Sequence, residues 1–194
     1  MTHPTLPPPA LAPADAAPPS VVALVGNPRP GSRTLGAALA LAGTLARRTG
    51  AGDPAAVDLA TLAPALLGPR TTEVDAALAS VAAADVLVVA TPVHKASFTG
   101  LLKAFLDLYG PDGLADVVAV PLVVSAAPHH ALVGEVHLRP VLVELGATVP
   151  TRSLTLVDAD LADPDAAIER WWVRAERPLG RVLGAAPQPA GVAR

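Results

Sequence analysis

"VVALVGNPRPGSRTLG", residues 21–36, joins a short apolar, β-branched run to an alanine-rich stretch that continues to residue 49. An apolar run of this length that stops at a glycine reads as a buried strand. Residues 34–49 read as a helix, with Thr34 as its N-cap and "RRTG" at 47–50 placing cations and a glycine at its C-terminal end. Between them lies "GNPRPGSRT", 26–34, a loop of glycines, prolines, arginines and hydroxyls. It opens onto a helix N-terminus, where backbone N–H groups lack partners and favour an anion. The dinucleotide fingerprint G-x-G-x-x-G is absent. Gly26 and Gly31 have the spacing of a nucleotide-triphosphate loop, but Ser32 stands where that loop needs lysine. A single phosphate monoester, surrounded by backbone N–H groups, the Ser32 and Thr34 hydroxyls and Arg29 or Arg33, is the ligand such a loop suits. A proline-stiffened turn whose hydroxyl merely caps the helix satisfies the same pattern.

Outward from this loop, strand and helix patterns alternate. "AAVDLA", 55–60, reads as a short strand, and 72–84 as a helix capped by Thr72 with Asp75 at its third position. "DVLVVAT", 85–91, is a nearly continuous apolar run of the kind found in strands covered on both faces. A helix over 99–109, a strand "DVVAVPLVVS" at 116–125, a helix over 131–146, a strand "TVPTRSLTL" at 148–156 and a final helix over 163–184 complete the series. Such alternation predicts an α/β three-layer sandwich with a five-stranded parallel sheet. The flavodoxin-like order 2-1-3-4-5 is expected, with ligands beyond the carboxyl ends of the strands, so the loops at 26–34, 91–99 and 125–131 carry the function. The domain is expected over 20–185, between a disordered Pro/Ala-rich segment, 1–19, and a flexible tail, 186–194.

Composition narrows the classes. The 194 residues are 52% hydrophobic with mean hydropathy +0.47, yet alanine makes up much of that, and no window of about 18 apolar residues escapes a polar break. No membrane role is expected. The N-terminal stretch lacks the basic start and apolar centre of a signal peptide, so a cytoplasmic location is expected. With no cysteine there is no disulfide, thiolate metal site or cysteine nucleophile. Net charge −3 without a basic cluster argues against nucleic acid as partner. No G-x-S-x-G elbow marks a hydrolase. His129, His130 and His137 have few acidic partners at ligand spacing, and no metal is expected.

Two further stretches carry a resemblance. "ATPVHKASFTGLLKAFLD", 90–107, and "SAAPHHALVGEVHLRPVLVELGA", 125–147, join "GNPRPGSRT" in the order seen in the NADPH-dependent FMN reductases. Those proteins read close to G-S-P-R-x-x-S-x-[ST], P-V-Y-x-x-[SAT]-[YF]-[ST]-G-x-L-K, and a T-G-G-x-x-A-H-like turn before a helix containing L-[KR]-P. The chain resembles that family over about 20–157. The resemblance implies FMN with its phosphate near Arg29, Ser32, Arg33 and Thr34. It places the ring beside Pro92, Val93, His94, Lys95 and Ser97, with Ser125, Ala126 and Ala127 on its other side. It also implies NADPH as hydride donor, a homodimer or homotetramer with flavin near the subunit boundary, and no obligatory acid or base, because hydride chemistry belongs to the flavin.

Where this chain departs from the pattern, Asn27 stands for the usual serine, His94 for tyrosine, and Ala126 and Ala127 for glycines. Members that serve sulfonate monooxygenases carry an aromatic residue four positions before the proline, where this chain has Val136; the sulfonate role is not carried over. The expected activity is reduction of FMN by NADPH, with reduced flavin supplied to a flavin-dependent monooxygenase. An FMN-bound reductase of quinones, azo compounds or metal oxyanions is the alternative enzyme. A non-catalytic binding protein whose ring site Ala126 and Ala127 have closed is the alternative outside enzymes. "ERWWVRAERPLGR", 169–181, holds two tryptophans that cannot share one helix face, so one is expected on the sheet and the other at a neighbour or in solvent.

Overall fold

The computed structural model describes residues 18–66 and 68–184; the expected N-terminal segment, except its last two residues, and the expected tail lie outside them. Five strands, β1 (Val21–Val25), β2 (Ala55–Asp58), β3 (Val86–Pro92), β4 (Val118–Ser125) and β5 (Leu154–Val157), form one sheet in the order β2-β1-β3-β4-β5. Every pair is parallel, β1 in register Val21↔Val86 with β3 and β4 in register Leu122↔Leu154 with β5. The order reverses between β1 and β3, which leaves a crevice at their carboxyl ends.

The period of two along each strand divides the core. Val21, Ala23 and Val25 of β1 and Val86, Val88 and Ala90 of β3 pack with α1 (Arg33–Thr49) and the helix Pro164–Val182. Their alternates, Val22, Leu24, Leu87 and Val89, face the opposite layer. That layer holds α3 (Thr72–Ala82), α4 (Gly100–Leu106) and α5 (Arg139–Glu144). A one-turn helix, α2 (Ala63–Leu66), which the sequence pattern did not announce, precedes α3; Pro164–Val182 is α6. Ala37, Ala38, Ala42 and Ala46 give α1 a small-residue face that lets it lie close on the sheet. Trp172 is buried with Arg48 over its ring at 5.3 Å, while the half-buried Trp171 donates its indole N–H to Arg152 O at 2.8 Å.

Four local expectations are corrected. The N-cap of α1 is Ser32, whose hydroxyl accepts from Leu35 N, so the helix starts one residue before Thr34. The cap of α3 is Thr71, accepting from Val74 N, in place of Thr72. Residues 131–146 are not one α-helix: a wide π turn, Gly134–Leu138, leads into α5. Pro140 lacks an N–H for the carbonyl four residues back and its ring crowds that turn, which favours the wider loop. β5 is shorter than 148–156 because the carbonyls of Val149 and Thr151 accept from the Arg139 guanidinium and only Thr148 reaches β4, through a bridge to Val118.

Candidate functional site

Beyond the carboxyl ends of β1, β3 and β4 lies a groove of about 550 Å³. Arg29, Ser32, Arg33 and Thr34 line it from the first loop, Pro92, Val93 and His94 from the second, and Ser125 and Ala126 from the third. The remaining candidates stand beside it: Lys95 at the tip of the second loop, Ser97 on its return limb, and Ala127 one residue past the groove wall.

The first loop is organised from inside. Asn27 Oδ1 accepts from the Arg29 N–H at 2.9 Å, which fixes the orientation of the amide, and Asn27 Nδ2 then donates to Thr34 Oγ1 at 3.0 Å. Ser32 Oγ accepts from the Leu35 N–H at 3.2 Å. Both hydroxyl oxygens are thus occupied as acceptors, and among the described residues neither hydroxyl hydrogen has an acceptor. What remains for a ligand is donors. Gly31, at φ 62°, holds the left-handed turn that brings the chain into the helix. No acidic residue occupies the first turn of α1. Arg33 pairs with Asp158 at 3.1 Å, but with side chains 68% and 51% exposed this pair contributes only about 0–1 kcal/mol, so an incoming anion can recruit the guanidinium. Arg29 is exposed and has no carboxylate partner among the described residues. A donor set of this kind fits a phosphate dianion.

The second loop is a two-residue turn. His94 N donates to Ser97 O at 2.8 Å and Ser97 N to His94 O at 3.0 Å, with Lys95 at φ 51° and Ala96 at φ 62° between them. A turn with two positive φ values normally recruits asparagine and glycine; here two ordinary side chains carry the strain. The N–H groups of Lys95 and Ala96 have no acceptor among the described residues, so they too are free donors. Ser97 Oγ lies 3.2 Å from His137 Nδ1, which ties the turn to the π segment.

In the third loop Ser125 Oγ donates to Ala127 O at 2.8 Å and accepts from Ala127 N at 3.2 Å. Its side chain shapes the loop and is not spare for a ligand. Ala127 is extended, at φ −150°, and Ala126 is not among the residues at positive φ, so neither position requires glycine. The groove stays open with both methyl groups in place. Below this loop Glu135 accepts from Arg139 Nε at 2.8 Å and from Ser153 N at 2.6 Å. Burial alone pushes the Glu135 carboxyl up, but the Arg139 and Ser153 hydrogen bonds outweigh it and hold the group below its ordinary value of 4.5.

Sequence reasoning missed Thr99, Asp158 and the double role of Asn27. Asp158 meets Arg33 across 125 residues, with no local signal. Asn27 was visible as a substitution for serine, although its two hydrogen bonds were not. Thr99 falls at the hydroxyl position of the second motif and at the start of the expected helix, but neither its cap role nor its bond to Gly26 was read.

The family model for NADPH-dependent FMN reductases matches residues 19–160. The NADH-dependent FMN reductase SfnE of Pseudomonas putida is 35% identical over 149 residues, covering 74% of this chain and 80% of that protein. An FMN reductase (NADPH), also of Pseudomonas putida, is 39% identical over 82 residues, and the match spans 42% of each protein. Among solved structures, the apo form of an NADH:FMN oxidoreductase superposes with a TM-score of 0.70 at 30% identity, covering 88% of this chain and 92% of that one.

Proposed function

Because the chain belongs to the NADPH-dependent FMN reductase family, we propose that the groove at the ends of β1, β3 and β4 takes FMN and a reduced nicotinamide in turn, and that reduced flavin is the product. The observation that carries this reading is a first loop whose free side-chain groups, the Ser32 and Thr34 hydroxyl hydrogens and the Arg29 guanidinium, are donors, opening on a groove that runs on to the second and third loops. Ser32, Thr34, Arg33 and Arg29 hold the phosphate. Pro92, Val93 and His94 form one wall of the ring slot, the free N–H groups of Lys95 and Ala96 face the ring's polar edge, and Ser125 to Ala127 set the opposite limit. FMN supplies the hydride-accepting chemistry when bound. The protein contributes placement: first-loop hydroxyls held in position by the Asn27 and Ser32 hydrogen bonds, and walls that bring the nicotinamide to the exposed ring face.

The relatives' names carry both NADPH and NADH, and NADPH is the donor proposed here. Reduced FMN passes to a flavin-dependent monooxygenase in this reading; the exposed rim formed by Arg29, His94 and Lys95 supports flavin exchange. A homodimer or homotetramer is supported by Leu132, Val136 and Val143, which stay 67%, 61% and 55% exposed just before the π segment, on it and on α5. Among the described residues no helix is long and apolar enough to cross a membrane.

Anaerobic oxidation of NADPH and NADH, measured with and without added FMN, tests the proposal. Saturable oxidation that depends on added FMN is expected. Turnover by protein that retains its own flavin, without added FMN, points to a bound cofactor and a different acceptor. The absence of both NAD(P)H oxidation and flavin-fluorescence quenching contradicts the reading outright.

A further inference from the structure

We propose that Thr99 is a positioning residue that locks the phosphate loop and the ring turn into one rigid site, a role that rests on the flavin reading above. Thr99 closes the second loop and caps α4, with only 2% of its surface exposed. Its hydroxyl donates to the carbonyl of Gly26, where β1 gives way to the first loop, and accepts from Leu102 N at 3.1 Å. Its own N–H donates to Thr91 Oγ1 at 3.2 Å, near the end of β3. One buried side chain therefore joins two strand ends and a helix start.

Two observations make this bond more than a helix cap. Among the described residues it is the only hydrogen bond that runs directly between the 26–34 loop and the 92–99 turn. Gly26 is pressed against the same helix turn, since an added Cβ would lie 2.5 Å from Leu102 Cβ. Gly26 N–H also donates to Ala90 O at 2.8 Å, so the residue is held from both sides. The donors that face the phosphate and the donors that face the ring edge are thereby held at a fixed separation. A flavin phosphate contributes its full affinity only while the ring is seated, and Thr99 maintains that distance.

The readout is the phosphate's share of binding, taken as the ratio of the riboflavin to the FMN dissociation constant from flavin fluorescence. Thr99→Val keeps the side-chain shape and removes the donor and acceptor; the ratio is expected to fall about tenfold. Thr99→Ser restores the hydroxyl and is expected to keep the ratio within about twofold of wild type. Thr71→Val removes the matching cap of α3, away from the groove; it is expected to lower Tm and leave the ratio unchanged. If the valine variant does not fold, Thr99→Ala reads the same ratio. A folded Thr99→Val or Thr99→Ala protein with the wild-type ratio overturns the proposal, as does a Thr71→Val protein whose ratio falls equally. Wild-type protein that binds riboflavin and FMN alike, or neither, overturns the flavin reading itself, before any variant is made.

Discussion

The first and second loops face the same groove but are held in opposite ways. Loop 26–34 is held by its own polar side chains: Asn27 bridges Arg29 and Thr34, Ser32 caps α1, and glycine occupies the one left-handed position, Gly31. The turn 92–99 has no comparable internal side-chain bracing. Lys95 and Ala96 sit at positive φ without being glycine, and the turn is anchored at its base by Thr99 and on its return limb by the Ser97 contact with His137. The first arrangement suits a ligand group of fixed shape and charge. The second stores strain beside the slot where the proposed function seats the flavin ring. Bracing from within on the phosphate side, and strain held by anchors at base and return limb on the ring side, are what the comparison teaches.

Breaking the braced side has the largest expected effect. Gly26→Ala places a Cβ against Leu102 at a separation no relaxed pair adopts, so α4 or the loop has to move. A loss of about 1–3 kcal/mol in stability, with flavin binding reduced severalfold or more, is expected from urea unfolding and FMN titration. Asn27→Ala comes next. It removes both the bond that holds Arg29 and the one that orients Thr34, and FMN affinity is expected to fall about tenfold while the protein stays folded. Unchanged affinity in that variant would show that the loop needs no internal bracing.

On the strained side the sign reverses. Ala96→Gly relieves a left-handed alanine and is expected to stabilise the protein by up to about 1 kcal/mol, raising Tm by about 2–4 °C. Scanning calorimetry checks it; a lower Tm would mean that the turn is not strained. The smallest effect concerns the third region, which is stapled by charge. Glu135 has a folded pKa held below 4.5, so its stabilising share is present above pH 4.5 and is lost as pH falls through the lower folded value. Glu135→Gln is expected to be less stable than wild type near neutrality and to converge with it in acid, as read from unfolding midpoints across that range.

The strand order was legible because β1, β3 and β4 are apolar runs broken by polar loops, and those loops are where the groove lies. The caps were misplaced by one or two residues because Ser32 and Thr34, and Thr71 and Thr72, are hydroxyl residues equally able to cap; only backbone geometry chooses between them. The π turn was hidden for a related reason. Pro140 signals a disturbed helix but not that the ring would be accommodated by widening the preceding turn. Thr99 was visible as the hydroxyl position of the second motif, but its bond to Gly26 and that of Asp158 to Arg33 were beyond reach, since a bond across 73 or 125 residues leaves no periodicity to read. Asn27 lies between these cases: its position in the loop was plain, its partners were not.

A crystal structure of the protein with FMN tests the central claim most directly. The phosphate is expected within hydrogen-bonding distance of the Ser32 and Thr34 hydroxyls, with the ring between the 92–97 turn and Ser125–Ala127. A flavin seated instead in the cleft of about 600 Å³ lined by Trp171, Arg152 and Arg174, with the first loop making no contact to its phosphate, would contradict it.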